Sequence, residues 1–367
     1  MRELKIIVPE NFREFGDSVN KHIQEIRNTS DSFLVDTSLV RFNNGEGKAV
    51  INESIRDKDL YIMSDVSNYD ITYKSYGRIH YMSPDEHFQD IKRILSAECR
   101  HAAKRTVIMP YLYQSRQDKR SGRESLDCAM ALDDLKKMEV NEIITCDVHN
   151  LAITNAVHDS SFESIFLGDM LLLDLVRNED IIDFDRFICI SPDIGATART
   201  KLLSGLLGNV PIGMFYKQRD YTRVVDGKNP IIAHDFLSST DINGKYAIVV
   251  DDMIASGGSI LDTALSLKKL GAEKVFLVVA FALFTEGIEK FQEYYQNDIF
   301  DKVYASNVSY VPNYIKSMPW FKSVDCSYKM ATIINELNNG RSIGDLITEK
   351  TEAAVKIKKL RREYETK

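Results

Sequence analysis

Short runs of consecutive apolar residues recur along the whole chain, and segments with helical spacing separate them. Strands that are apolar at successive positions are covered on both faces, which is typical of parallel sheets. One helical segment, Ile260–Leu270, carries apolar residues at three- and four-residue steps and ends beside Gly271, a helix stop signal. The alternation predicts an α/β fold with right-handed crossover connections. The clearest apolar runs are Leu4–Val8, Leu60–Met63, Thr106–Met109, Glu142–Cys146, Phe187–Ile190, Tyr246–Val250 and Val275–Phe281.

The chain is long enough for two domains. It has 367 residues, against roughly 150 residues in a domain, and a polar stretch, Val157–Glu163, separates two blocks of apolar runs. We therefore expect an N-terminal α/β domain over residues 1–160 and a C-terminal one over residues 161–315. A closing segment follows over 316–346, and a charged tail over 347–367 is expected to form a surface helix. The segment Tyr69–Glu86 is aromatic, polar and of mixed charge, which indicates an excursion outside the core.

Charge and cysteine content exclude several classes of protein. The net charge is −7, from 47 Lys and Arg residues against 54 Asp and Glu residues. This balance argues against a nucleic-acid binder and against binding to anionic membranes, because both need a positive field. The longest apolar run, Val275–Phe284, is far shorter than the ~20 residues of a membrane-spanning helix. Five scattered cysteines and an N-terminus without a secretory signal predict buried thiols in a cytoplasmic protein.

The strongest chemical signal is the segment from Ile248 to Ser259, where an apolar strand is followed by two acids, a small-residue loop and a helix. In an open parallel sheet, ligands bind beyond the carboxyl ends of the strands, so these acids can reach a ligand. The glycines allow close approach of the backbone, and its N–H groups at the helix N-terminus form a phosphate cradle. Carboxylates above such a cradle suit a sugar phosphate. The residues concerned are Asp251, Asp252, Ala255, Ser256, Gly257, Gly258 and Ser259.

This loop resembles the phosphoribosyl pyrophosphate (PRPP) binding loop of type I phosphoribosyltransferases and of PRPP synthetases. The first half of the chain separates the two families, because it is similar to further motifs of the PRPP synthetases, also called ribose-phosphate diphosphokinases. The matching motifs keep the family's order between about Phe33 and about Leu346. They are Arg41–Glu46 (RFNNGE), Met109–Arg120 with Arg-Gln-Asp at 116–118, Thr145–His149 (TCDVH), Ser191–Gly195 (SPDIG) and the segments beginning at Ile315 and Gly340.

The resemblance implies an activity and an architecture. A ribose-phosphate diphosphokinase transfers diphosphate from ATP to the C1 hydroxyl of ribose 5-phosphate, giving PRPP and AMP for nucleotide biosynthesis. The family has two phosphoribosyltransferase-like α/β domains, each a mostly parallel sheet flanked by helices, with the active site in the cleft between them. It implies that the segment 316–346 packs on the N-terminal domain. It also implies a homo-oligomer, built of dimers into a hexamer, in which the adenine pocket is contributed across a subunit interface.

The resemblance also implies roles for individual residues. Lys217 is expected to stabilise the transferring β-phosphoryl group, and Arg219 to contact the sugar or the same charge. His149 and Asp193 are expected to hold Mg²⁺, directly or through water. The adenine pocket is expected to contain Phe42 stacked on the base, Asn44 and Glu46, and the nucleotide loop to contain Arg116, Gln117 and Asp118. The loop from Asp251 to Ser259 is expected to bind ribose 5-phosphate.

Two other functions stay open at this point. One is a catalytically silent paralogue that regulates an active synthetase, although such a subunit does not need all four residues assigned to catalysis and metal binding. The other is a type I phosphoribosyltransferase, which would explain Ala255, since PRPP synthetases usually have Asp there. A transferase would leave the Arg41–Glu46 segment unused.

The chain departs from the family pattern at other places as well. Asn44 stands where the family has an acid, and Gln218 where it has a basic residue. Residues Tyr69–Ser83 form an insertion relative to the family. The preference for ATP over other nucleoside triphosphates therefore stays open.

Overall fold

The computed structural model describes residues 2–120, 122–157, 160–179, 183–219, 231–347 and 350–366. Of residues 217–219 and 231–234 it describes the backbone. The chain divides into two compact units. Unit 1 comprises Met1–Phe166, Asn307–Tyr310 and Asp325–Ile347, and unit 2 comprises Leu167–Ser306, Val311–Val324 and Thr348–Lys367.

Strands and helices follow one another through both units. The strands are β1 (Leu4–Ile7), β2 (Thr37–Arg41), β3 (Gly47–Ile51), β4 (Asp59–Met63), β5 (Thr72–Ser75), β6 (Arg78–Tyr81), β7 (Lys104–Ile108), β8 (Glu142–Cys146), β9 (Ser161–Ile165), β10 (Phe187–Ser191), β11 (Ile212–Arg219), β12 (Ile231–Ser238), β13 (Tyr246–Ile254), β14 (Lys274–Ala282), β15 (Lys302–Ser306) and β16 (Phe321–Val324). The helices are α1 (Arg13–Arg27), α2 (Pro84–Glu98), α3 (Asp127–Lys137), α4 (Gly168–Asn178), α5 (Thr197–Leu206), α6 (Gly258–Lys269), α7 (Glu289–Gln296), α8 (Asn313–Lys316), α9 (Ser327–Asn338), α10 (Gly344–Ile347) and α11 (Glu352–Glu365).

Unit 1 is built on a parallel sheet with the strand order β1-β4-β7-β8-β9. Every residue of β4 and of β8 is buried, as expected for strands that are covered on both faces. Two antiparallel hairpins, β2–β3 and β5–β6, form separate two-stranded sheets. The second hairpin occupies the segment that the sequence marked as an excursion.

Part of the polar stretch expected between the domains is strand β9. Phe162 pairs with Ile143 of β8, and Ile165 pairs with Cys146. The strand lies at the edge of the sheet, where its polar side chains reach solvent while Ile165 is buried. Only the last of its five residues is fully buried, and the segment is too short and too polar for its sequence to reveal a strand.

The segment after Asp325 joins unit 1 through α9, which packs against α1. Arg27 Nε donates to Asn335 Oδ1 at 2.8 Å, and its Nη2 donates to Asn338 Oδ1 at 2.7 Å. The amide of Asn338 in turn donates to Asp59 Oδ2, at 2.8 Å. A chain of amide and charged groups therefore links the two helices to the first residue of β4.

Unit 2 is built on a sheet with the order β12-β11-β10-β13-β14-β15-β16. Strands β11 and β12 pair antiparallel, and every other neighbouring pair is parallel. The chain leaves β10 toward one edge of the sheet and leaves β13 toward the other. The carboxyl ends of β10 and β13 therefore flank a topological switch point, which is where open α/β sheets bind ligands.

Both sheets confirm the predicted fold class, a mostly parallel sheet flanked by helices in each half of the chain. Each of the predicted apolar runs is a strand, and the helix predicted over Ile260–Leu270 is α6. The charged tail contains α11, whose Ala353, Ala354 and Ile357 are buried. No helix within the described part of the chain is long and apolar enough to span a membrane.

The cysteines differ from the prediction at one position. Cys128, Cys146, Cys189 and Cys326 are buried, whereas Cys99 is exposed. Cys99 follows the last residue of α2 in the left-handed conformation, with φ of 54°, and the chain turns there at the surface. Burial raises the pKa of Cys128 and of Cys189 to about 12, so these two thiols remain protonated near neutral pH.

Candidate active site

Asp251 and Asp252 lie inside β13 rather than after it. The strand was expected to end at Val250, but it continues to Ile254 because β14 runs beside it, with Met253 opposite Phe281. Successive residues of a strand point to opposite faces. Asp252 is accordingly buried, with 3% of its surface exposed, whereas Asp251 is half-buried.

Asp193 belongs to the same cluster of acids at the switch point. It is exposed in the loop that follows β10, where its Oδ1 accepts a hydrogen bond from the Ala196 N–H at 3.2 Å. The Ser191 hydroxyl donates to the Asp193 carbonyl oxygen at 2.6 Å. These bonds fix the loop that leads into α5, so that one oxygen of Asp193 orders the turn.

The three carboxylates influence one another. The pKa of Asp251 is raised well above its usual range, first by burial, then by the charge of Asp252, and to a smaller extent by that of Asp193. Arg199 opposes this rise, and its Nη1 lies 4.0 Å from Asp252 Oδ1. A group of acids with one nearby guanidinium favours a ligand that donates hydrogen bonds or carries positive charge.

Sequence reasoning did not single out Arg199. It lies in the first turn of α5, six residues after Asp193, and its side chain is largely buried. A basic residue one turn into the helix that follows a strand-end loop is the signal that would have identified it. Its position beside Asp252 could not be inferred, because that contact joins α5 to β13, which are far apart in the sequence.

Glycine is present at two positions after β13, Gly257 and Gly258, for different structural reasons. Gly257 has φ of 81° and precedes α6, and a Cβ placed on it would lie 2.4 Å from a ring carbon of Phe291. Only glycine fits there without strain. A Cβ on Gly258 would meet nothing within 4 Å, so this residue leaves space open at the helix N-terminus.

The rest of the predicted sugar-phosphate loop is partly exposed. Ala255, Ser256 and Ser259 have intermediate burial, and the Ala255 carbonyl accepts from the Thr285 N–H at 2.9 Å. The loop is thus tied on one side to the segment after β14. Its other side presents the start of α6, where backbone N–H groups favour an anion.

The two predicted catalytic residues, Lys217 and Arg219, have side chains that lie outside the described residues. Their backbone belongs to β11, where Lys217 pairs with His234 and Arg219 with Ile231 of β12. Both residues therefore belong to a strand whose antiparallel pairing continues as far as Arg219.

In unit 1, two groups of predicted residues follow neighbouring strands of the parallel sheet. The exposed Arg116 lies in the loop after β7, and the exposed His149 follows β8. Gln117 Nε2 donates to the Ser125 carbonyl oxygen at 2.9 Å, so its amide nitrogen is engaged within the loop. Asp118 has one buried carboxylate oxygen, Oδ2, without a hydrogen-bond partner among the described residues.

The predicted adenine-pocket residues form the turn between β2 and β3. Phe42 is 45% exposed, and the Lys48 ammonium lies 5.8 Å from the centroid of its ring. The Asn44 amide donates to Glu46 Oε2 at 2.9 Å, while the Glu46 N–H donates to Asn44 Oδ1 at 3.2 Å. Asn44 therefore orients the carboxylate of Glu46 and leaves the Phe42 ring open to solvent.

The structure thus gathers the predicted residues into two separate groups, one within each unit. Unit 2 gathers the acids and the glycine loop at its switch point, and unit 1 gathers the residues of the β2–β3 turn. Among the residues that the structure describes, no three His, Cys, Asp or Glu side chains are grouped so as to hold a metal ion. The predicted metal ligands, His149 and Asp193, belong to unit 1 and unit 2 respectively.

Comparison with known proteins gives consistent matches along the chain. A family model described as the N-terminal domain of ribose phosphate pyrophosphokinase matches residues 4–138, and one described as a phosphoribosyl synthetase-associated domain matches residues 227–348. The ribose-phosphate pyrophosphokinase of Pasteurella multocida is 26% identical over 318 residues, which cover 86% of this chain and 92% of that protein. The enzyme of Synechococcus elongatus is 27% identical over 312 residues, covering 83% and 85%.

A solved structure shows the same fold. The crystal structure of phosphoribosylpyrophosphate synthetase from Mycobacterium smegmatis matches with a TM-score of 0.74 and 20% identity, covering 92% of this chain and 100% of that one. The two family models, the curated relatives and this fold agree with the order of motifs along the sequence. The chain belongs to the ribose-phosphate pyrophosphokinase family, the PRPP synthetases.

Proposed function

We propose that the protein transfers diphosphate from ATP to the C1 hydroxyl of ribose 5-phosphate, producing PRPP and AMP. The observation that carries this proposal is the acid and glycine cluster at the switch point of unit 2, in a chain whose residues 4–138 match the synthetase N-terminal domain. A sugar phosphate needs acceptors for its hydroxyls and N–H donors for its phosphate, and this cluster offers both.

The sugar is proposed to bind beside β13. Asp251 and Asp252 accept hydrogen bonds from its ring hydroxyls, and the segment from Ala255 to Ser259 holds the 5-phosphate with backbone N–H groups. Ala255 adds no side-chain acceptor, so the contacts to the hydroxyls rest on the two acids. The Arg199 guanidinium offsets part of the negative charge of these acids. This supports a site in which a neutral sugar ring lies between the acids and the N–H groups that hold its phosphate.

The nucleotide is proposed to use the predicted residues of unit 1. Phe42 stacks on the adenine ring, and Glu46, held by Asn44, accepts from the exocyclic amine. Arg116 offers a planar fork to phosphate oxygens. Gln117 and Asp118 are proposed to complete this loop, with the Gln117 side-chain oxygen as the group left for the nucleotide.

The donor group set fits Mg²⁺. Magnesium in phosphoryl-transfer enzymes takes one or two protein ligands together with phosphate oxygens and water, so a cage of three protein side chains is not required. We assign His149 and Asp193 as its holders, directly or through water, and the exposed carboxylate oxygens of Asp193 support this. When bound, the ion would neutralise negative charge on the phosphates.

Lys217 and Arg219 are proposed to act on the transferring group. A cation positioned where negative charge develops on the phosphoryl oxygens lowers the barrier without taking part in bond formation. Lys217 is assigned to the β-phosphoryl group, and Arg219 to the sugar or to the same charge. The C1 hydroxyl oxygen forms a bond to the β-phosphorus of ATP, and the bond from that phosphorus to the oxygen bridging to the α-phosphorus breaks. The hydroxyl proton passes to solvent, and AMP leaves.

The assembly and location are proposals of the same kind. We propose a homo-oligomer, a hexamer built of dimers, in which a neighbouring copy completes the base pocket. The exposed ring of Phe42, in the turn between β2 and β3, supports this. The buried thiols support a reducing compartment, and we propose the cytoplasm.

Two assays, one for PRPP formation and one for PRPP consumption, separate the proposal from its alternatives. The purified protein is incubated with ATP, Mg²⁺ and ribose 5-phosphate, and AMP and PRPP are measured by chromatography. Equal amounts of both products are expected. Consumption of supplied PRPP only when a nucleobase is present would instead identify a phosphoribosyltransferase, and no reaction in either assay would identify a regulatory subunit.

A further inference from the structure

The inserted hairpin β5–β6 packs against the turn that carries the predicted adenine residues. The Tyr76 N–H donates to the Asn43 carbonyl oxygen at 3.0 Å. The ring of Tyr73 lies under the Arg41 guanidinium, whose carbon is 5.6 Å from the ring centroid, and Arg41 donates to Asp90 at 2.8 Å. The insertion is therefore joined to the β2–β3 hairpin at both its tip and its stem.

A pocket of about 530 Å³, open to solvent, lies between the tips of the two hairpins. One side is formed by Asn43 and Asn44, and the other by the four residues from Lys74 to Gly77. Asn44 is the residue that holds Glu46, so the pocket adjoins the group proposed to read the base. Its volume lies in the range of sites for small organic ligands.

Tyr76 is placed in this pocket against local backbone preference. It has φ of 47° and is followed by Gly77 with φ of 76°, an arrangement in which Asn-Gly is the usual pair. A bulky residue in the left-handed region costs about 1–2 kcal/mol. The Tyr76 side chain is 78% exposed, so burial does not offset this cost, and strain of this kind at a pocket indicates a role in binding.

The chemistry of the lining identifies the ligand class. An exposed aromatic ring offers a stacking surface to a heterocyclic base, a contact that contributes about 1–3 kcal/mol per base. The exposed Lys74 adds a positive charge for the anionic part of the same molecule. An aromatic face, an amide and an ammonium in one pocket suit a nucleotide.

We propose that Tyr76 and Lys74 of the inserted hairpin bind the nucleoside triphosphate, with Tyr76 stacking on its base. This rests on the proposed function, because it extends the same nucleotide site. The hairpin then contributes to how tightly the donor is held. Residues on the outer side of the hairpin take no part.

Steady-state kinetics with three variants test the proposal. Y76A and K74Q should raise the KM for ATP, Y76A by about tenfold or more as expected from the loss of one stacking contact, with kcat and the KM for ribose 5-phosphate within about twofold. Y76F should behave like the wild type, because the ring is kept. The matched control is Y81A, which removes another exposed tyrosine (68% against 78% for Tyr76) from β6 and should leave all constants within about twofold.

Equilibrium binding of a fluorescent, non-hydrolysable ATP analogue gives a second measurement that needs no turnover. Weaker binding by Y76A than by Y81A supports the proposal even if the wild type forms no PRPP, an outcome that would contradict only the proposed function. If the wild type forms PRPP and Y76A matches Y81A in both measurements, the proposal is overturned. Absence of analogue binding to the wild type overturns it as well.

Discussion

The Asp252 backbone N–H donates to Oδ1 of Asp251 at 2.9 Å, and the Asp252 carboxylate helps to raise the pKa of its neighbour. An acid whose pKa is raised in the folded protein takes up protons on folding, so it lowers stability as the pH rises from about 4 through its folded pKa. At neutral pH the charged form of Asp251 is therefore a cost to the fold. A bound sugar would offset it by donating hydrogen bonds.

Replacing this carboxylate should separate stability from activity. D251N keeps an oxygen for the Asp252 N–H and removes the charge, so we expect its melting temperature at pH 7.5 to exceed that of the wild type by a few degrees (about 2–4 °C per kcal/mol). The KM for ribose 5-phosphate should rise at least about tenfold, because a charged acceptor is lost. Calorimetry and initial rates measure the two effects.

The control for this substitution is D262N, which removes an exposed acid from α6. It should change neither quantity. A D251N protein less stable than the wild type at pH 7.5 would contradict the argument about charge repulsion.

Substitution of Gly257 should disrupt the start of α6. In G257A the new methyl group meets the Phe291 ring and the backbone must hold a left-handed φ, which together cost about 2–4 kcal/mol. Chemical denaturation should show this loss of unfolding free energy. G258A adds a methyl group into open space and should retain the stability of the wild type, so equal stability of the two variants would be the contrary result.

Asp65, which follows β4, should make the unfolding free energy of unit 1 depend on pH. Burial raises its pKa to about 6, although it accepts hydrogen bonds from the N–H groups of Ser67 and Tyr310. The unfolded chain has the usual value, 3.8, so this group should lower the unfolding free energy by about 3 kcal/mol in all as the pH rises, with about two thirds of the loss between pH 4 and pH 6 and the rest complete by about pH 7.

The test for Asp65 compares pH profiles rather than stabilities at one pH. In D65N the unfolding free energy, measured with urea, should lose this part of its decline between pH 4 and pH 6. Parallel profiles for the wild type and D65N would exclude Asp65 as the titrating group.

Lys217 should affect turnover rather than binding. K217A is expected to lower kcat by about 10²-fold or more, with the Kd for ribose 5-phosphate nearly unchanged, because the lost cation acts on charge that develops in the transition state. Rapid-quench measurements of AMP formation test this. K290A, a substitution of an exposed lysine on α7, is the control, and wild-type turnover by K217A would remove Lys217 from the mechanism.

The parallel sheets were predictable because the sequence encodes them locally. A strand such as Phe187–Ser191 is buried at every position, and runs of apolar residues report that directly. The glycine loop was predictable for the same reason, since a left-handed residue and a close approach at Gly257 both require glycine. Strand β9 and the full length of β13 were not, because their ends depend on the partner strand and not on their own composition.

Contacts between distant segments explain what the sequence left out of the site. Arg199 acquires its role from Asp252, and the helix that carries Arg199 and the strand that carries Asp252 meet only once the sheet has formed. The inserted hairpin read as an excursion because its exposed residues carry no periodic signal. Its relation to the turn at Asn43 depends on one backbone hydrogen bond that no residue type indicates.

The sheet of unit 1 grows in one direction from β1 to β9, while its two hairpins form ladders of their own. Lengthening or replacing a hairpin therefore removes no hydrogen bond between strands of the central sheet. If the inserted hairpin contacts the donor as proposed, changes in residues 72–81 alter donor binding while the proposed sugar site, which lies in unit 2, keeps its structure.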